Sequence, residues 1–125
     1  MNFPEDLKYT DTHEWVKADG DLLIVGITEY AAGELGDVVF VDIPESRAVA
    51  TGESFGSIEA VKTVSDLIAP VAGTIAEINP DLEGSPELVN SDPYGAGWMV
   101  KLSGFDMAEV SGLLDAAQYK SLIGK

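Results

Sequence analysis

Short apolar segments separated by turn residues constrain the fold of this chain more than any other feature. The segments are rich in β-branched and aromatic residues, and turn-forming residues recur about every 8 to 12 positions. Strands are predicted at residues 13–17, 22–25, 38–43, 55–61, 63–68, 74–78 and 98–102. Regularly spaced short strands are typical of an all-β sandwich or barrel. The sequence therefore predicts a mostly β fold.

Local turn and capping signals mark a hairpin and a short helix in the first third of the chain. Residues 19–21 form an Asp-Gly-Asp turn between two strand-like runs, which predicts the hairpin. Thr28 is a typical N-cap residue, Glu29 follows it in the first turn, and Gly36 is placed to end the helix. We therefore expect a short helix near residues 28–35.

The end of the chain has a helical pattern. In the tail of about residues 105–125, apolar residues recur at helical spacing, with interruptions near Gly112 and Asp115. We expect these C-terminal helices to pack on the outside of the strands. Before them, proline- and glycine-containing turns are predicted at residues 79–81 and 83–86.

Length and residue usage limit the class of protein. The 125 residues suit a single domain, 1–125. The absence of cysteine excludes a disulfide framework, and one histidine, His13, excludes a metal site with several histidine ligands. The first residues lack the features of a signal or transit peptide, and no stretch approaches the ~20 apolar residues of a membrane span. We expect a cytoplasmic protein of bacterial type.

The formal net charge of −15 bears on the partners of the chain. Nucleic acids and anionic membranes attract basic surfaces, so neither is an expected partner. Such a charge keeps a protein soluble, and it also steers a protein toward basic patches on other proteins.

Lys62 is the first candidate for chemistry. It lies between two strand-like runs, and its nearest basic neighbours, Arg47 and Lys101, are 15 and 39 residues away. Similar short segments containing Gly52 and Gly73 flank it, which suggests a hairpin with the lysine at its tip. From these residues alone, Lys62 is either an ordinary exposed turn lysine or an attachment point for an acyl arm.

Five segments of the sequence resemble one protein family, and this resemblance favours Lys62 as an attachment point. Residues 57–73 resemble the lipoylation hairpin of glycine-cleavage H proteins, V-E-S-V-K-A-x-S-D-x-x-A/S-P-x-S/A-G. Further matches to that family are Y-[TS]-x-x-H-E-W, G-I-T-D-Y-A, L-G-D-V-V-F-V and P-E-L-V-N-x-D-P-Y-G-x-G-W, at residues 9–15, 26–31, 35–41 and 86–98. The matches occur in the family's order and cover about residues 7–103.

The resemblance implies a fold and a function. The fold is the lipoyl/biotinyl-type barrel-sandwich hybrid of two small antiparallel sheets, with the lipoyl hairpin at about residues 55–70. Lys62 would carry lipoic acid through an amide. The arm would take the aminomethyl group of glycine from the PLP-dependent glycine decarboxylase (P protein) to the aminomethyltransferase (T protein), and then pass electrons to dihydrolipoyl dehydrogenase (L protein). The chain would be a monomeric carrier and not an enzyme, loaded by a lipoyl ligase or transferase.

The resemblance also implies roles for three acidic residues. Glu14 and Asp66 match positions that line the cleft for the loaded arm, where carboxylates can hold its cationic amine by charge-assisted hydrogen bonds. Glu59 matches a position that helps the lipoyl-attaching enzyme recognise the hairpin.

Other prominent residues are interpreted as structural. His13 is predicted to be a structural histidine beside Trp15, since no nucleophile accompanies it. Core positions are predicted for Trp98 and Phe40, and backbone requirements at a turn for Gly95 and Gly97.

The chain departs from the family pattern at three places. Ala60 replaces a common serine, which could alter recognition by lipoyl ligases. The turn at residues 45–47 is one residue shorter than usual, and Glu34 occupies a variable helix position that sometimes carries a polar cleft residue.

Four alternatives remain to be weighed. The first is an H-like lipoate carrier that serves lipoate relay or sulfur oxidation. The second is a biotin carrier, which favours A-M-K-M around its lysine, whereas this chain lacks both methionines. The third is an enzyme, although no motif supplies a nucleophile–base pair, metal cluster or phosphate-binding loop. The fourth is an unmodified homologue that only binds partners, against which intact Lys62, Glu59 and Asp66 argue.

Overall fold

The computed structural model describes residues 2–124. Within them, nine strands and five short helices follow one another in the order β1 (Lys8–Tyr9), β2 (Glu14–Asp19), β3 (Leu22–Ile27), α1 (Glu29–Leu35), β4 (Val38–Asp42), β5 (Ala48–Val49), β6 (Ser54–Ala60), β7 (Val64–Ile68), β8 (Gly73–Ile78), α2 (Asp81–Gly84), α3 (Leu88–Ser91), β9 (Val100–Ser103), α4 (Met107–Ser111) and α5 (Ala116–Leu122).

The strands form two antiparallel sheets. Six strands are arranged in the order β1-β2-β3-β9-β8-β5, and three strands in the order β4-β6-β7. The predicted hairpin is β2–β3, in which Asp19 pairs with Leu22 across a turn of two residues. The prediction of a mostly β fold with two small antiparallel sheets is confirmed. The segments containing Gly52 and Gly73 lie close together, because β5 pairs with the start of β8.

The main core joins the two sheets. Alternate residues of β3, such as Leu23 and Val25, are fully buried, and they pack in one apolar cluster with Ile58 and Leu67 of the three-stranded sheet. This packing follows from the period of two in a strand, which directs every second side chain to the same face. The core therefore fixes the position of β6 and β7 relative to β2 and β3.

A second apolar cluster attaches the last helix, α5. Phe3, Tyr9 and Trp15 pack against Ala116 and Tyr119 of α5. The aromatic rings of Tyr9 and Tyr119 are stacked with their centroids 4.9 Å apart. The helices predicted for the tail are present as α4 and α5. Helix α5 packs on the side of β1 and β2 that faces away from the main core, whereas α4 contributes Val110 to the main core.

Two predictions about local structure need correction. The turn predicted at residues 83–86 begins inside α2, which ends at Gly84, and its second half separates α2 from α3. Phe40 is not a core residue, since half of it is exposed. It lies on the outer strand of the three-stranded sheet, where a bulge between Val38 and Phe40 shifts the register. Trp98 is partly buried against the second cluster.

Candidate functional site

Lys62 is at the exposed tip of the β6–β7 hairpin. The hairpin closes through a hydrogen bond from the N–H of Ala60 to the carbonyl of Thr63, 2.8 Å long. A bond from the N–H of Val61 to the carbonyl of Asp37 fastens the tip to the loop before β4. Lys62 is exposed, and the basic residues that form ion pairs within residues 2–124 are Lys17, Arg47 and Lys101. The amine of Lys62 is therefore accessible on a rigid support.

The stem of Lys62 lies over the end of α1. A Cβ atom at Gly36, the C-cap residue of that helix, would be 3.2 Å from Cε of Lys62. Gly36 also has a φ of +80°, a conformation that other residues adopt only with strain. The glycine that the sequence predicts as the end of the helix thus also leaves room for the lysine side chain.

A cleft of about 320 Å³ extends along α1. Its walls come from β2 and the turn before it, from the end of β3, from α1, and from the β6–β7 pair. The residues that line it are Thr12, His13, Glu14, Ile27, Tyr30, Ala31, Glu34, Leu35, Ile58, Ser65, Asp66 and Leu67. The lining is mainly apolar, with three carboxylates from three different elements.

Glu14 is the carboxylate at the inner end of the cleft, and only 3% of it is exposed. The hydroxyl of Thr10 donates to its Oε1 at 2.9 Å, and the hydroxyl of Thr12 donates to the same oxygen. Both of these bonds reach Oε1, which leaves Oε2 for a donor in the cleft. Burial raises the pKa of Glu14 to about 7, although the two threonine hydrogen bonds lower it.

Asp66 and Glu34 lie at the rim of the cleft, and both are exposed. Asp66 is on β7 and pairs with Ser57, so its side chain starts on the sheet face opposite that of Ile58. Glu34 lies near the end of α1. The sequence-predicted pair Glu14 and Asp66 therefore shares one cleft, with Glu34 as a third carboxylate.

His13 also lines this cleft, and its backbone has a positive φ of 72°. Its Nδ1 is 2.8 Å from the hydroxyl oxygen of Tyr119, and its ring lies 5.2 Å from that of Tyr30. Burial lowers the pKa of His13. The aromatic neighbours of His13 are thus tyrosines, while Trp15 donates from its indole to the carbonyl of Pro93 at 2.9 Å.

Helix α1 separates Lys62 from Glu14. The backbone N–H of Thr28, at the start of the helix, donates to the carbonyl of His13, and Gly36 at its end touches Lys62. Eight residues at a rise of 1.5 Å each place these two ends about 12 Å apart. The four-carbon stem of a lysine does not cover that distance, so only an extended arm on Lys62 reaches Glu14.

Comparison with known proteins decides the family. A family model described as "Glycine cleavage H-protein" matches residues 7–125. A glycine cleavage system H protein of Bacteroides fragilis is 55% identical over 124 residues, with 98% of each chain covered. One of Staphylococcus carnosus is 56% identical over 126 residues, with both chains fully covered.

The chain belongs to the glycine cleavage H-protein family. A crystal structure of a glycine cleavage system H protein from Mycobacterium marinum is also similar to it, with a TM-score of 0.88 and 43% identity. That likeness covers 98% of this chain and 100% of the other. The barrel-sandwich hybrid predicted from the sequence is confirmed.

The structure also shows where Glu59 and the two turn glycines, Gly95 and Gly97, lie. Glu59 is exposed on β6, in register with Phe40 and Val64 on its two neighbouring strands. It lies three residues before Lys62 and outside the cleft. Gly97 has no room for a side chain, because a Cβ atom there would be 2.6 Å from the carbonyl oxygen of Leu88. The carboxylate of Asp92 crowds Gly95 in the same way.

Sequence reasoning missed the two threonines that hold Glu14. Thr10, Thr12 and Glu14 come together because residues 10–13 form a turn, in which the N–H of His13 donates to the carbonyl of Thr10, and no local pattern in the sequence predicts this turn. Sequence reasoning also missed Tyr119, which is 106 residues from its partner His13 and carries no local signal.

Residues 2–124 contain neither a metal-binding cluster nor a membrane-spanning helix. Within residues 2–124, no group of three or more histidine, cysteine, aspartate or glutamate side chains is arranged to bind a metal ion. The helices in this range are also too short or too polar to span a membrane.

Proposed function

We propose that this chain is the lipoyl carrier of a glycine cleavage system, with lipoic acid attached through an amide to Lys62. It would carry the aminomethyl group of glycine from glycine decarboxylase to the aminomethyltransferase, and then electrons to dihydrolipoyl dehydrogenase. The observation that carries the proposal is the position of the Lys62 amine. It is accessible at a hairpin tip, about one α1 length from a buried carboxylate.

The residues around Lys62 fit such an arm. Gly36 leaves space beneath the lysine stem, and the cleft along α1 leads from there to Glu14. The chain has no cysteine whose thiol could exchange with a disulfide on the arm. When bound, the lipoyl group supplies a disulfide that can be reduced and a sulfur atom that can carry the aminomethyl group.

Glu14 would bind the charge that the arm brings into the cleft. The loaded arm ends in a primary amine, which is cationic at neutral pH, and Oε2 of Glu14 can accept a hydrogen bond from it. A nearby cation favours the ionised carboxylate, which offsets the effect of burial on the pKa of Glu14. Asp66, at the rim, would attract the amine to the cleft.

The apolar walls would keep water away from the bound group. Ile27, Ile58 and Leu67 line the cleft and are each at most 5% exposed. Exclusion of water also strengthens the attraction between the amine and Glu14, since the local dielectric constant is low. The chain's own residues thus attach, orient and protect the arm, and we propose that bond breaking is left to the partner enzymes.

We extend the proposal to the setting of the protein. It would act as a single domain of residues 1–125, as a monomer in the cytoplasm, without nucleic acid or membrane partners. Glu59, exposed beside the hairpin tip, would contribute to recognition by the lipoyl ligase or transferase.

Mass spectrometry of the protein from its native source tests the attachment. Trypsin cuts after an unmodified Lys62 but not after an acylated one, so a lipoylated chain yields a peptide of residues 48–101. In the wild-type protein we expect this peptide with the added mass of lipoate. In Lys62→Arg, trypsin cuts after residue 62, so we expect neither this peptide nor the modification. An unmodified Lys62, in cells whose other lipoyl proteins carry lipoate, would disprove the proposal. A peptide with the added mass of biotin would also disprove it and would indicate a biotin carrier.

A further inference from the structure

A chain of hydrogen bonds connects the C-terminal helix to the cleft. The hydroxyl oxygen of Tyr119, on α5, is 2.8 Å from Oγ1 of Thr28 and 2.8 Å from Nδ1 of His13. Both Tyr119 and Thr28 are fully buried. Oγ1 of Thr28 already accepts a hydrogen bond from the N–H of Ala31, 3.1 Å away, as the N-cap of α1.

The direction of each bond follows from the donors and acceptors. The buried hydroxyl of Thr28 needs an acceptor for its own hydrogen, and the oxygen of Tyr119 provides it. The hydrogen of Tyr119 then goes to Nδ1 of His13, which must be unprotonated to accept it. The reverse direction would leave the Thr28 hydrogen buried and unpaired, and donation to Tyr119 from both neighbours would leave the buried Tyr119 hydrogen unpaired. His13 is therefore a neutral imidazole with its proton on Nε2.

We propose that Tyr119 is a positioning residue of the carrier, which keeps His13 uncharged so that the carboxylates of the cleft stay available to the cationic arm. This inference rests on the proposed function. Its structural part, the protonation state of His13, can be measured on the chain without lipoate.

A protonated His13 would compete with the arm for the same carboxylates. The ionisable groups around its ring come from its own turn, from β2, α1, β7 and α5, and they are Asp11, Glu14, Tyr30, Glu34, Asp66 and Tyr119. Most are acidic, so an imidazolium there would pair with a carboxylate that the amine needs.

The changes in the pKa of His13 and of Tyr119 support this protonation state. Burial lowers the pKa of His13, against the opposing influence of Asp11 and Glu34. Burial raises the pKa of Tyr119 to about 12, so its hydroxyl keeps the hydrogen that it donates. A hydrogen bond to the neutral form of a histidine lowers its pKa further.

NMR on the full unlipoylated chain tests the protonation state. His13 is the only histidine in the sequence, so its imidazole signals need no separate assignment. The ¹⁵N shifts of the wild-type ring are expected to show the tautomer with hydrogen on Nε2. In Tyr119→Phe, the pKa of His13 is expected to rise by about one pH unit, because one net hydrogen bond to the neutral form is lost.

Tyr9→Phe is the matched control. The ring of Tyr9 stacks on Tyr119, but its hydroxyl donates to the carbonyl of Pro4 at 2.7 Å, so the titration of His13 should not change. Hydrogen on Nδ1 in the wild-type protein would overturn the proposal, even if Tyr119→Phe did not fold. Identical titration curves for folded Tyr119→Phe and wild type would also overturn it.

The lipoylated chain tests the consequence for the arm. We expect Tyr119→Phe to release ammonia from the loaded arm faster than wild type near pH 6.5, the ordinary pKa of histidine, and the difference to shrink at higher pH. A raised pKa of His13 with an unchanged release rate would refute the link to the arm. Failure of Lys62 to carry lipoate would be seen separately, in the peptide mass.

Discussion

Replacing Glu14 by glutamine should change how the stability of the protein depends on pH. The side chain is 3% exposed, and burial raises its pKa from 4.5 to about 7. Between these values the folded state binds more protons at Glu14 than the unfolded chain does. The contribution of Glu14 to stability is therefore fully present below about pH 4.5 and is lost as the pH rises through about 7.

The size of the effect follows from the same two values. Each pKa unit corresponds to about 1.4 kcal/mol, so the rise of Glu14 corresponds to roughly 3 kcal/mol. Glutamine keeps the oxygen that accepts from Thr10 and Thr12 but cannot ionise. Relative to wild type, Glu14→Gln should therefore gain roughly 3 kcal/mol of stability between about pH 4 and about pH 8.

Urea unfolding at a series of pH values measures this difference. Glu45→Gln is the control, because it removes one charge from an exposed loop and reports the effect of net charge alone. A free-energy difference between Glu14→Gln and wild type that stays constant over this range would refute the reasoning, since the buried carboxyl would then titrate like an exposed one.

Two further predictions concern the arm and its support. Glu14→Ala should leave lipoylation of Lys62 unchanged but shorten the lifetime of the loaded arm, measured as ammonia release; an unchanged release rate would remove Glu14 from the proposed amine site. Gly36→Ala should lower the free energy of unfolding by about 1–3 kcal/mol because of its positive φ, and should displace the Lys62 stem. Gly84→Ala, with no atom near its added Cβ, is the matched control, and an equal loss in both variants would contradict this explanation.

Local signals were sufficient for some elements and not for others. The β2–β3 hairpin and the ends of α1 were predicted from the sequence, because the turn at residues 19–21 and the caps Thr28 and Gly36 act within a few residues. Strands β1 and β5 have two residues each and form only because longer strands lie beside them. No local pattern predicts such strands.

The same distinction applies to the site. The resemblance of the hairpin to a known family drew attention to Lys62 and Asp66. The sequence pattern gave no indication that Glu14 is buried, because its surroundings come from β3, α1 and the β6–β7 pair. It also gave none that His13 is hydrogen-bonded to Tyr119, because that contact depends on packing between the two ends of the chain. The outward position of Phe40 was also missed, since a continuous apolar run does not specify which face of an outer strand is covered.

The outer strands of the six-stranded sheet have a consequence for a protein that must visit several enzymes in turn. β1 and β5 are only two residues long, and the outer strand β4 of the other sheet is interrupted by a bulge, whereas β7, at the opposite edge of that sheet, has five residues in a row. On the edges formed by β1, β5 and β4, another extended chain finds few unpaired backbone groups in a row, so sheet-to-sheet aggregation has little to build on there.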